Sequence, residues 1–180
     1  MIITLTGVAG SGKSTAASAL KADGWREVSL AAPMKTFVQD VFDFSDEQVW
    51  GPSEARNAID PRWGVSPRQA LQQLGTEWGR SLHPDIWIRR AVREATKDDS
   101  DVVVSDVRFR NELDAFRLVG ARAIRIVRPG LVVSGASHVS EAEQVGLPDH
   151  LFDKVIFNVG TVYELKRDIL QAVTELRGGR

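Results

Sequence analysis

Five short runs of β-forming apolar residues alternate along the chain with longer stretches whose apolar positions recur every three or four residues. Ile2, Ile3, Leu5 and Thr6 form the first run, almost continuous, as in a strand buried on both faces of a parallel sheet. Trp25 to Leu30, Asp101 to Asp106, Ala121 to Val127 and Val155 to Phe157 give four more. Between them lie the helical patterns. Ala16, Ala17, Ala19 and Leu20 follow the first strand; Phe37, Val38, Val41 and Phe42 mark a helix over 34–44. Ser66-Pro67-Arg68-Gln69 predicts a capped helix start, with Ala70, Leu71, Leu74 and Trp78 on one side. Ile86, Ile88, Ala91, Val92 and Ala95 mark another helix, Leu113, Phe116, Leu118 and Val119 another, and Leu165, Ile169, Val173 and Leu176 the last, opened by the Thr161/Glu164 capping box. Strands alternating with helices predict an α/β three-layer sandwich around a five-stranded parallel sheet, with ligands at the carboxyl ends of the strands.

The pattern weakens in two places. Residues 45–66 are punctuated by Gly51-Pro52, Asp60-Pro61 and Trp63-Gly64 and read as a mobile insertion outside the core, with helical turns only at 45–50 and 53–59. Residues 131–152 read as loop with one short helix near 140–145. Gly75 and Gly79 interrupt the helix that starts at Ser66, which packing alone would not select, and Gly79 is the expected end of that helix. At 180 residues one domain suffices: a core of 1–32, 98–128 and 153–180, a helical insertion at 33–97 and a lid-like segment at 129–152.

Composition narrows the chemistry. A formal net charge of −1 gives no basic field for a nucleic-acid partner. With no cysteine and three scattered histidines, thiolate catalysis and a cysteine-ligated zinc are excluded and a histidine set is poor. No apolar run approaches the ~18 residues of a membrane span, and the N-terminal stretch has no signal-peptide pattern, so a cytoplasmic protein is expected. The apolar, tryptophan-rich 37–87 region leaves room for a homodimer interface.

The most informative stretch is Gly7-Val8-Ala9-Gly10-Ser11-Gly12-Lys13-Ser14, which meets G-x-x-x-x-G-K-S/T at every fixed position, with a strand before it and a helix after it. Its glycines let backbone N–H groups approach phosphate oxygens, and the helix that follows adds its positive end. Gly10, Ser11, Gly12, Lys13, Ser14 and Thr15 are therefore the expected triphosphate-binding set, with Lys13 reaching the β and γ phosphates and the Ser14 hydroxyl on Mg2+. Asp106, ending an apolar strand, is the second candidate for Mg2+; it is also placed to cap the helix that follows. Arg108 and Arg110 directly after it are candidate cations for the transferring phosphoryl group, as opposed to ordinary solvated arginines. Lys35 is either solvated or near a substrate phosphate. A signalling GTPase would carry Asp-x-x-Gly and Asn-Lys-x-Asp, and neither occurs.

Several stretches in order resemble the bacteriophage deoxynucleoside monophosphate kinases: GVAGSGKST, Ala32-Pro33-Met34-Lys35, Ser66-Pro67-Arg68, Leu71-Gln72-x-Leu74-Gly75-Thr76-Glu77-x-Gly79-Arg80, His83-Pro84-Asp85-x-Trp87, Ser105-Asp106-Val107-Arg108-Phe109-x-Asn111-Glu112 and Ser137-His138-Val139-Ser140-Glu141. The resemblance implies the nucleoside monophosphate kinase type of P-loop fold and transfer of the γ-phosphoryl group of ATP to a deoxynucleoside monophosphate. It implies Lys13, Asp106, Arg108 and Arg110 as catalytic residues, and Lys35, Arg68, Trp78, Arg80, Arg108 and Glu112 around the acceptor. Glu112 would orient an arginine or contact the acceptor sugar or base, and Arg128 would stack on adenine. Trp78 and Trp87 are candidates for the acceptor-base wall or for packing. Between Pro129 and Asp153 there is no Lys or Arg, whereas many enzymes of this type carry lid arginines there. Two alternatives remain: a kinase of another phosphorylated small molecule, of the dephospho-coenzyme A or phosphomevalonate type, and a non-catalytic nucleotide switch.

Overall fold

The computed structural model describes residues 1–131, 144 and 146–179. Its chain gathers into two compact units, one formed by 1–29 with 91–180 and the other by 30–90.

The first unit holds the sheet. β1 (Ile2–Thr6), β2 (Arg26–Val28), β3 (Val102–Val104), β4 (Arg122–Val127) and β5 (Lys154–Phe157) run parallel in the order β2-β3-β1-β4-β5. The five apolar runs are these five strands. β1 is central, with Thr4 opposite Val104 on one side and Ala123 on the other. Ile3 and Leu5 point into a core with Ala16 and Leu20 of α1 (Lys13–Ala22), Val103, Ile124, Ile126, and Leu165 and Ile169 of the last helix, Val162–Gly178. The alternate β1 residues Thr4 and Thr6 are buried too, so both faces are covered. Because β3 and β4 flank β1, the chain leaves β1 where strand order reverses, and such a crevice is where α/β sheets bind ligands.

The second unit begins with α2 (Ala32–Phe42), ended by Asp43 in the left-handed region at φ 52. That turn leaves Phe44 outside the helix but in a core with Val38, Val49 and Ala70. The helical turns expected within 45–66 are present, but the stretch is not outside the core, since Val49 packs with Val38 and Ala70. α3 (Asp46–Trp50) is closed by a Ser45/Gln48 capping box, and α4 (Ser53–Asn57) follows. The buried Asp60 carboxylate accepts from Gln48 Nε2 at 2.9 Å and from Arg62 N, Nε and Nη2 at 2.9–3.0 Å, while Arg62 Nη1 also reaches Asp43 at 3.0 Å. Gly51, Pro52 and Pro61 break any sequence period there; the order comes from burying Val49 and from pairing a carboxylate with donors on both sides of a turn.

The helix starting at Ser66 also differs from expectation. It passes through both glycines as α5 (Pro67–Gln72), a π-helical stretch Gln73–Gly79 and α6 (Arg80–Leu82). Packing does select Gly79, where a Cβ would stand 2.6 Å from the Trp87 ring; at Gly75 it would stand 2.8 Å from Met34 Sδ, the end of a flexible side chain. Trp87 is held over this surface by its Nε1–H, which donates to Gly75 O at 2.8 Å. α7 (Ile86–Ala95) follows, then in the first unit α8 (Arg110–Leu118) and α9 (Val162–Gly178), the latter opened by the expected Thr161/Glu164 box. Most of 129–152, including His138 and the short helix expected near 140–145, lies outside the described residues. Among the described residues no helix is long and apolar enough to cross a membrane.

Candidate active site

β1 delivers the chain into its loop at the centre of the sheet edge, and the loop is shaped by positions that only glycine suits. Gly12 has φ +112, and a Cβ there would lie 2.7 Å from both Asn158 Nδ2 and Leu165; at Gly7 it would run into the Ile126 carbonyl. Ser11 N donates to Val8 O at 3.1 Å, closing the turn. Lys13 begins α1, and its Nζ bends back to donate to Gly7 O and, at 2.9 Å, to Val8 O. Its ammonium is thus held over the loop. Lys13, Ser14 and Thr15 line a cleft of about 310 Å³ with Gly10 and Gly12, and Arg128 lies on the same cleft. That size is at the small end of the range for ligand sites. The sequence-predicted phosphate residues and the base-stacking candidate Arg128, more than a hundred positions away, are therefore brought together.

Asp106 lies two residues past Val104, at the carboxyl end of β3 beside β1. Its Oδ2 accepts from Ser29 Oγ at 2.6 Å, which holds the carboxylate in one orientation. Both expected Mg2+ ligands, the Ser14 hydroxyl and the Asp106 carboxylate, are hard oxygen donors. Among the described residues no group of three or more His, Cys, Asp or Glu could hold a metal. This donor set fits Mg2+, which keeps waters and takes much of its shell from phosphate oxygens. It does not fit an all-protein metal cage.

The arginines after Asp106 differ. The Arg108 guanidinium is exposed and has no partner among the described residues, whereas Arg110 Nε is engaged by both oxygens of Asp114 at 2.8–2.9 Å in an exposed i,i+4 pair. Such a pair is worth under ~1 kcal/mol. Glu112 is buried and its Oε2 accepts from the backbone N–H groups of Arg108 at 2.6 Å and Phe109 at 3.0 Å. It serves the start of α8 and sets the Arg108 backbone; a reach to an acceptor sugar or base is not what these contacts describe.

The remaining candidates belong to the second unit. Lys35 on α2 stands 4.0 Å from the centroid of the Trp50 ring, a cation–π contact. Arg68 on α5 makes a long 3.4 Å bond to Asn57 Oδ1. Trp78 is half exposed on the π-helical stretch and Arg80 opens α6. Trp87, by contrast, is committed to packing on Gly75 and Gly79.

Comparison with known proteins assigns the chain to a family. The family model for deoxynucleotide monophosphate kinases matches residues 45–169. The chain belongs to the deoxynucleotide monophosphate kinase family. The matched span begins after the phosphate loop, so loop and family match are separate observations. Relatives include a provisionally named deoxynucleotide monophosphate kinase of Acanthamoeba polyphaga mimivirus, 36% identical over 190 residues and covering 96% of each protein. Another is the deoxynucleotide monophosphate kinase of Enterobacteria phage T4, 33% identical over 144 residues, or 73% of this chain and 57% of the phage protein. Among solved structures, shikimate kinase from Aquifex aeolicus vf5 superposes with a TM-score of 0.59 at 15% identity over the whole of both chains, a likeness of fold alone. The fold is thus that of the P-loop kinases, and the chain is an enzyme of the kinase class.

In this deoxynucleotide monophosphate kinase family member, sequence reasoning missed four residues of the cleft. Asn158 and Gly160 line it from the turn between β5 and α9, and Val162 and Leu165 from α9 itself. The available signal was an Asn-x-Gly turn between an apolar strand and a capped helix, at the same sheet edge as the phosphate loop.

Proposed function

We propose that the cleft of the first unit binds ATP with Mg2+ and that the enzyme transfers the γ-phosphoryl group to a deoxynucleoside monophosphate, giving the diphosphate and ADP for DNA precursor synthesis. The observation that carries this reading is the loop whose lysine, first-turn hydroxyls and glycine backbone share one cleft with Arg128. Family membership and the relatives' names support the acceptor class over the other phosphorylated small molecules and over a nucleotide switch.

In this reading Gly10 and Gly12 present backbone N–H groups to the phosphates, the Ser11 N–H stays on Val8 O to hold the turn, and Lys13 exchanges its loop carbonyls for β and γ oxygens. Ser14 and Asp106 would hold Mg2+, which when bound neutralises charge between the phosphates. Arg128 stacks on the base of ATP. Arg108 screens the charge that gathers on the transferring group, and Glu112 fixes the backbone from which it projects. Arg110 joins it by releasing Asp114. Lys35, Arg68 and Arg80 receive the acceptor phosphate and Trp78 its base. No general base is required, because the attacking acceptor oxygen already carries charge. The site of action is the cytoplasm, that of the host if the chain is of phage origin.

The test is ADP production from ATP and Mg2+ with each of the four deoxynucleoside monophosphates, the four ribose counterparts and no acceptor. Turnover confined to deoxynucleotides is expected. Silence with all eight would overturn the reading.

A further inference from the structure

A loop that offers its N–H groups to phosphate must turn its carbonyls the other way. In a planar peptide unit the C=O of one residue and the N–H of the next point in opposite directions, so whatever holds the Ser11 carbonyl also aims the Gly12 N–H. Here that holder comes from the far edge of the sheet: Asn158 Nδ2 donates to Ser11 O at 2.8 Å. Asn158 is itself fixed by its backbone, whose N–H donates to Val127 O at 2.7 Å. One side of the Ser11–Gly12 peptide is Gly12 itself, at φ +112, whose freedom lowers the resistance of the local backbone to a flip. A flip would turn the Gly12 N–H away from the cleft and place the Ser11 oxygen, an acceptor, against the phosphates.

We propose that Asn158 is a positioning residue that locks the Ser11–Gly12 peptide in its anion-binding orientation. The inference rests on the reading of the cleft as a triphosphate site and adds a residue that no phosphate-loop motif contains. The contact with the loop is to backbone, so it acts on any phosphate ligand regardless of base.

Asn158→Leu keeps the branched outline of the side chain and deletes its donor; Asn158→Ala deletes both. Calorimetric titration with Mg-ATP and with inorganic tripolyphosphate, which has no base, compares each variant with the wild type, alongside the melting temperature. The expected result is a dissociation constant raised about tenfold or more for both ligands in both variants, with KM for the deoxynucleotide acceptor changed by less than about twofold. Weakened ATP binding with unchanged tripolyphosphate binding would overturn the proposal, since Asn158 would then act on the base. A lower melting temperature with both affinities intact would overturn it as well, leaving a merely structural contact. Wild-type protein that binds neither ligand would instead sink the triphosphate reading beneath it.

Discussion

At the scale of single residues, the guanidinium of Arg108, without a partner among the described residues, and the paired one of Arg110 separate two roles that adjacent sequence makes look alike. A cation without a protein partner can move to a developing charge at no cost of breaking an existing pair. Arg108→Ala is therefore expected to cut kcat by about 10³, with ATP binding nearly intact; a loss below about tenfold in steady-state assays would remove it from the catalytic set. Asp60 shows a different residue-level logic. The hydrogen bond from Arg62, then that from Gln48, holds its carboxyl well below the usual carboxylate range. A depressed folded-state value means the stabilisation is present above the unfolded value of about 3.9 and is lost as pH falls through the folded one. Wild-type stability should thus include an acid-labile part below about pH 4 that Asp60→Asn lacks, visible as converging melting temperatures when the two proteins are compared from neutral to acid pH.

At the scale of elements, the π-helical stretch gives a pair of opposed expectations. Helix propensity alone favours alanine over glycine by about 1 kcal/mol. At Gly79 the added methyl meets a Trp87 ring pinned by its own hydrogen bond to Gly75 O, and overpacking of this kind costs about 1–3 kcal/mol. Gly79→Ala should therefore destabilise in urea unfolding, whereas Gly75→Ala, which meets only the flexible Met34 thioether, should be close to neutral. The same stretch marks the limit of reading elements from periodicity. Apolar spacing located all five strands and the helices around them, because burial on a sheet face or helix stripe repeats along the chain. A π turn repeats differently, and the fit of Gly79 under a tryptophan eight residues on leaves no periodic trace. The Asp60 pairing is likewise invisible to hydropathy. In the candidate site, the phosphate loop was legible because its chemistry is local, while Asn158 was not, since its partner stands 147 positions away.

At the scale of the whole molecule, the cleft draws its lining from both ends of the first unit, Gly10 to Thr15 on one side and Arg128 with Asn158 to Leu165 on the other. A ligand seated there ties these segments together and binds only the folded chain. Mg-ATP at ~100 times its dissociation constant should add about 2.7 kcal/mol, or a rise of roughly 5–10 °C in melting temperature for a chain of this size. Differential scanning fluorimetry checks this, and Lys13→Ala should abolish the rise.

The central position of β1 also bears on how the protein is born. Ile2 must pair with Val102 and Ile3 with Arg122, so β1 leaves the ribosome with no neighbour in the sheet until residue 102 and beyond have been made. The Gln48–Asp60–Arg62 network, by contrast, closes within a short stretch. Synthesis thus delivers a self-contained 30–90 segment while an apolar N-terminal strand waits in the open, and pairings of such sequence separation are slow and exposed to aggregation. Nascent chains stalled before residue 102 should accordingly resist protease within 30–90 while their first 29 residues are still cut.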